Sequence, residues 1–243
     1  MKPSPWITGL FAIAACAGCG HRTASSPALK AKATGTAIIV VSGDKQLGAP
    51  GSELSQPLVL QVNDDQGNAV PGAKVALTGP QGVTLAPAQL LTDDNGQAAI
   101  KVTLGGISQR YELTASSLDA HGKEFSIPVA EFGAGYQQEL GYEISQKFCS
   151  RCHDAESTVE QVSNYDNLAV KPHSFADGAV YNKLTDSTLT TIIAHGGPAE
   201  NRSALMPPYE WTLDKADRQA VIAYIRLISD PPYVTPGIVY AKN

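Results

Sequence analysis

The chain has 243 residues, 43% of them apolar, enough to bury the core of one large domain or two small ones, and its 18 Lys and Arg against 23 Asp and Glu give a formal charge of −5. Residues 136–230 hold 13 Asp and Glu against 8 Lys and Arg, which accounts for the whole excess. That leaves no basic face for a phosphate backbone and excludes nucleic acid as a partner, while a basic protein partner or a plainly solvated surface both remain compatible with it.

Residues 1–19 place Lys2 before an apolar run from Trp6 to Ala15, then small residues around two cysteines. The run is too short to span a bilayer as a helix. It resembles a bacterial lipoprotein signal: in Ile13-Ala14-Ala15-Cys16 an aliphatic residue stands three before the cysteine and small residues fill the gap. The resemblance implies lipidation at Cys16. Cys19 is the alternative, because cleavage there leaves no odd thiol in an oxidising compartment. An ordinary secretory signal or an uncleaved anchor is the competing reading. Several acyl chains on one cysteine hold a protein to a membrane far more firmly than one chain does. Ala17 is not the aspartate that retains some lipoproteins in the inner membrane, so the family rule implies the outer membrane of a Gram-negative envelope, on its periplasmic side. Residues 20–35 are small and polar without apolar periodicity, as a flexible tether is, and His21 within them is solvated.

From residue 36 to 132, short apolar runs alternate with turn residues: TAIIVVSG, PLVLQVND, AKVALTG, GQAAIKVTLG, YELTASS and EFSIPVA. Six or seven strands at this spacing predict a β-sandwich. Asp64-Asp65-Gln66-Gly67-Asn68 and Asp93-Asp94-Asn95-Gly96 are turn sequences, and His121 sits at a third hairpin tip. The acidic run at 93–95 lacks the spaced oxygens and distant bidentate Glu of a calcium loop, so it too reads as a turn. The stretch VSGDKQLGAPGSELSQPLVLQVNDDQGNAVPGAKVALTG followed by LLTDDNGQAAIKVTLG resembles the bacterial Ig-like domains of the invasin and intimin type. Those are spacers and adhesive modules, and the resemblance implies the same here.

After Gly133-Ala134-Gly135 the period becomes helical: Leu140, Ile144 and Phe148 stand four apart and lead into Cys149-Ser150-Arg151-Cys152-His153. Zinc wants four ligands, and no second cysteine pair or close histidine pair follows. A redox dithiol wants a βαβ setting. Covalent haem c fits: both thiols add to vinyl groups, and the adjacent His153 becomes the proximal iron ligand. The other face of the iron needs a partner, and Met206 is the only methionine besides Met1, which falls in the signal. It sits in Leu205-Met206-Pro207-Pro208, where paired prolines forbid helix and fix the backbone. His173 and His195 are rival sixth ligands, and the Pro172 carbonyl is a candidate acceptor for the second nitrogen of His153. A helix capped at Thr185 carries Leu189, Ile192 and Ile193 and stops at Gly196-Gly197; another starts near Asp214, carries Val221, Tyr224, Ile225 and Ile228, and stops at Asp230-Pro231-Pro232.

The order Gly141-x-x-Ile144, Cys149-x-x-Cys152-His153, Ile192-x-x-x-Gly196, Met206-Pro207-Pro208 and Ala223-Tyr224-Ile225-Arg226 resembles the class I cytochrome c family over residues 136–230. The resemblance implies that the first and last helices cross at Gly141 against Tyr224. Ser145 stands where that family often has an aromatic residue, and Phe148 or Tyr142 is expected to compensate. Residues 231–243 form a tail whose last ten carry no readable motif. The expectation is an all-β Ig-like sandwich followed by an all-α cytochrome c fold with one covalent haem c. Its function would be one-electron transfer between periplasmic redox proteins, with the sandwich as spacer or docking module. A peroxidase-like enzyme or ligand sensor with a displaceable Met206, and an adhesion module with an accessory haem, are the alternatives.

Overall fold

The structure, a computed structural model, describes residues 34–154 and 162–235. Cys16, Cys19, His21 and the end of the tail lie outside them. The described residues belong to the compact unit Ala33–Asn243, and no helix among them is long and apolar enough to cross a membrane.

Among the described residues nine strands come first: β1 (Ala37–Ser42), β2 (Leu47–Gly48), β3 (Leu58–Asn63), β4 (Lys74–Thr78), β5 (Thr84–Ala86), β6 (Gln89–Leu91), β7 (Gln97–Thr103), β8 (Arg110–Leu118) and β9 (Glu124–Gly133). They form a four-stranded sheet in the order β1-β3-β7-β5 and a five-stranded one in the order β2-β9-β8-β4-β6. All pairings are antiparallel except the short β2–β9 pair. Three more strands are present than the six apolar runs show, because β2, β5 and β6 are only two or three residues long and too short to show a period. Alternation decides what is buried: Leu58, Leu60 and Val62 of β3 and Tyr111, Leu113 and Ala115 of β8 are at most 1% exposed and meet in one core.

Three hairpins use one device. Asp64, Asp93 and Asp119 each accept, through Oδ1, the backbone N–H groups of the residues two and four positions on. In each, the residue between those acceptors' donors is a glycine at positive φ: Gly67, Gly96 and Gly122. The acidic run at 93–95 is therefore a turn, as the sequence indicates. His121 lies at the third tip.

Among the described residues five α-helices follow: α1 (Tyr136–Phe148), α2 (Ser150–His153), α3 (Gly178–Tyr181), α4 (Asp186–His195) and α5 (Lys215–Ile228). The caps are those the sequence marks. Thr185 accepts from Thr188 N–H, and Asp214 forms a reciprocal capping box with Asp217. Ile144, Leu189, Ile193, Val221 and Ile225 make a second core with no residue in common with the first. α1 and α5 cross at Gly141, where a Cβ would stand 2.0 Å from the Ala220 carbonyl oxygen and 2.9 Å from Tyr224 Cβ. The crossing is thus against Ala220 as well as the expected Tyr224. Ser145 turns inward and donates to the Gly141 carbonyl, while Tyr142 packs edge-on to Tyr224 at 5.5 Å.

Candidate haem site

The site begins at the end of α1. The helical turn of α2 is closed by N–H bonds from Cys152 and His153 to the Cys149 carbonyl, each 3.0 Å. Residues three apart on such a turn share a face, so both sulfurs are offered to the same side. Both thiols are free. Burial, and then the neighbouring Cys152, push the Cys149 thiol up to about 12. It stays protonated, which makes it a poor nucleophile for disulfide exchange.

The His153 ring is fixed by its Nδ1, which lies 2.9 Å from the His173 carbonyl oxygen. A carbonyl only accepts, so Nδ1 carries the proton and Nε2 keeps its lone pair. Burial lowers the His153 pKa and keeps the ring neutral, the form that ligates a metal. Phe175 packs against the ring with centroids 4.5 Å apart. The acceptor is one residue beyond the expected one: the His173 carbonyl, and not that of Pro172, faces the imidazole. The Tyr181 hydroxyl donates to the same oxygen at 3.1 Å.

Met206 is held through its backbone. Its carbonyl accepts from Gly197 N–H at 3.1 Å. Gly196, at φ +81°, leaves room where a Cβ would approach that carbonyl to 2.7 Å. The two glycines that end α4 therefore form the seat of the methionine loop. Tyr209 closes the loop at its other end: its N–H bonds to the Ile193 carbonyl at 3.0 Å, and its hydroxyl donates to the Phe148 carbonyl at 3.0 Å, beside the cysteine pair.

Cys149, Cys152, His153 and Met206 all line one cavity of about 380 Å³, within the roughly 300–1,000 Å³ range of cofactor sites. Its walls are mainly apolar, with Leu189, Ile192, Val221 and Ile225 among them. The exposed cations Lys171 and Arg202 also line it, which suits a flat apolar group bearing carboxylates. The residues present fit haem. Of the rival ligands, His173 lines the cavity but its Nδ1 is 2.9 Å from Asp177 Oδ2. His195 pairs with Glu210 at 3.3 Å and is not among the lining residues. Among the described residues no group of three or more His, Cys, Asp or Glu side chains could hold a metal ion by itself. Sequence reasoning missed Tyr181, Tyr209 and the Gly197 N–H. Only Tyr209 carries a signal, as the residue that follows the paired prolines.

No curated protein matches the chain. Among solved structures, the D0-D1 domain of intimin is similar at 20% identity and a TM-score of 0.30, covering 42% of this chain and 49% of that one. Invasin, a bacterial integrin-binding protein, is similar at 22% and 0.29, covering 43% and 20%. WR4, a C. elegans MSP family member, is similar at 12% and 0.32, covering 40% and 97%. Residues 137–225 match the family model described as cytochrome C oxidase, cbb3-type, subunit III. Over those residues the chain therefore carries a cytochrome c domain, which implies covalently bound haem c and points to an electron-transfer haem protein.

Proposed function

We propose that this chain is a membrane-tethered carrier of single electrons, with one haem c joined through Cys149 and Cys152 and ligated by His153 and Met206. The observation that carries this reading is the convergence of those four side chains on one apolar cavity. When bound, haem c supplies a one-electron couple. His153 offers Nε2 because its Nδ1–H is committed to the His173 carbonyl. Met206, held by Gly196 and Gly197, would supply the second protein ligand to the iron and would leave no open site for a substrate. That favours electron carriage over peroxide chemistry. A thioether in place of a second imidazole, together with the apolar walls, raises the potential by disfavouring the more charged oxidation state.

Lipidation at Cys16, with Cys19 as the alternative, would anchor the chain on the periplasmic side of a Gram-negative outer membrane. Residues 20–35 would be the tether, and the sandwich a spacer or docking module that lets the haem domain reach redox proteins away from the lipid. The visible spectrum of the haem-loaded, oxidised protein and of Met206→Ala tests the ligand set. A weak band at the red end that marks sulfur-to-iron ligation is expected in the parent and absent in the variant. A parent with high-spin iron that binds carbon monoxide readily would replace the carrier with an enzyme or sensor.

A further inference from the structure

Two donors meet on one peptide oxygen behind His153. The His173 carbonyl accepts from His153 Nδ1–H at 2.9 Å and from the Tyr181 hydroxyl at 3.1 Å, and the Tyr181 oxygen lies 3.4 Å from Nδ1. The arrangement is held from several sides. Asp177 Oδ2 holds the His173 ring at 2.9 Å, and Oδ1 of the same carboxylate caps α3 at Val180 N–H. Arg226 donates to the Tyr181 carbonyl at 2.7 Å. The Phe175 ring packs on both His153, at 4.5 Å, and Tyr181, at 5.8 Å. Tyr181 is 8% exposed, so its hydroxyl has little access to water as a substitute partner.

We infer that Tyr181 is a positioning residue: by sharing the His173 carbonyl with His153, it sets how strongly His153 donates electrons to iron. The inference rests on the reading of His153 as an axial ligand. A carbonyl oxygen has two lone pairs, and each donor withdraws density that the other would use. A strong bond from Nδ1–H gives the imidazole anionic character, raises its basicity as a ligand and stabilises the oxidised iron. The Tyr181 hydroxyl competes for that acceptor and holds the bond below its full strength. At 3.4 Å its direct contact with Nδ1 is near the limit of a hydrogen bond, so the shared carbonyl is the route by which it acts. Burial raises the Tyr181 pKa further above its ordinary value, and the hydroxyl remains a donor throughout the working pH range.

The test is Tyr181→Phe in the full haem-loaded chain, which keeps the buried ring and removes the donor. The reduction potential is expected to shift down, and the His153 Nδ1–H proton resonance of the reduced protein to move downfield, with the Met206 band unchanged. Incorporating 3-fluorotyrosine at position 181 makes the hydroxyl a stronger donor and is expected to shift both readouts the opposite way. A role in packing alone would lower the melting temperature and leave potential and proton shift where they are. Unchanged readouts in a haem-loaded variant, or an upward shift of potential in Tyr181→Phe, would overturn the inference and leave the proposed function standing. A parent chain that retains no haem after denaturing extraction would overturn both.

Discussion

Glu131 is the residue whose chemistry runs most against its surroundings. It continues the inward face of Ile127 and Val129 on β9 and is fully buried. One carboxyl oxygen accepts from Gln46 N–H at 2.8 Å, and the other has no partner. Burial, which outweighs that bond, raises its pKa from 4.5 to about 8, and nearby Asp44 adds to the rise. Between those two values the folded chain binds a proton that the unfolded chain has lost. Stability is therefore full below about pH 4.5 and falls by several kcal/mol as pH rises to about 8. Urea midpoints at pH 5 and pH 8 are expected to differ in the parent and to converge in Glu131→Gln. An equal pH dependence in both would show that Glu131 is not the source. Residue types in sequence do not reveal such a site: the second Glu in EFSIPVAEFG reads as an outward position until its strand parity is known.

At the scale of elements, the α1–α5 crossing has the sharpest consequence. An alanine at position 141 gains about 1 kcal/mol of helix propensity. Its Cβ, however, would stand 2.0 Å from a backbone carbonyl that has no rotamer to turn. Overpacking costs of about 3 kcal/mol outweigh the gain, so Gly141→Ala is expected to lower the melting temperature of the helical part. A variant as stable as the parent would mean that the helices do not meet there. In the sequence this crossing was implied only by the resemblance to class I cytochromes c, whereas the apolar face of α5 and the caps at Thr185 and Asp214 were legible directly, as helical spacing and local chemistry. The Asp-Gly hairpins were legible for the same reason. What was not legible are contacts set by loop closure. The acceptor for His153 is the His173 carbonyl, which Tyr181 holds from 8 residues away while Arg226 holds Tyr181 from 45 residues away. No local pattern encodes those distances.

Over the whole molecule, two cores without a shared residue stand on either side of Gly133-Ala134-Gly135. Arg110 of β8 joins them, donating to the Ser229 carbonyl at 3.1 Å and approaching Asp230 at 3.5 Å. The four candidate haem residues come from the second core's rim, and three of the four fall within five consecutive positions. That is why the chemistry could be read before the fold: Cys149, Cys152 and His153 are a local motif, and Met206 stood out by scarcity. Its seat on Gly196 and Gly197, and its lock at Tyr209, needed the structure. The central claim is that one haem is covalently held at Cys149 and Cys152. Intact mass of the protein after denaturing extraction with acid and organic solvent tests it most directly. The expected result is a chain heavier by one haem in the parent and a haem-free chain when both cysteines are changed to serine. A parent that loses its pigment on extraction, or a double variant that retains it, would contradict the account.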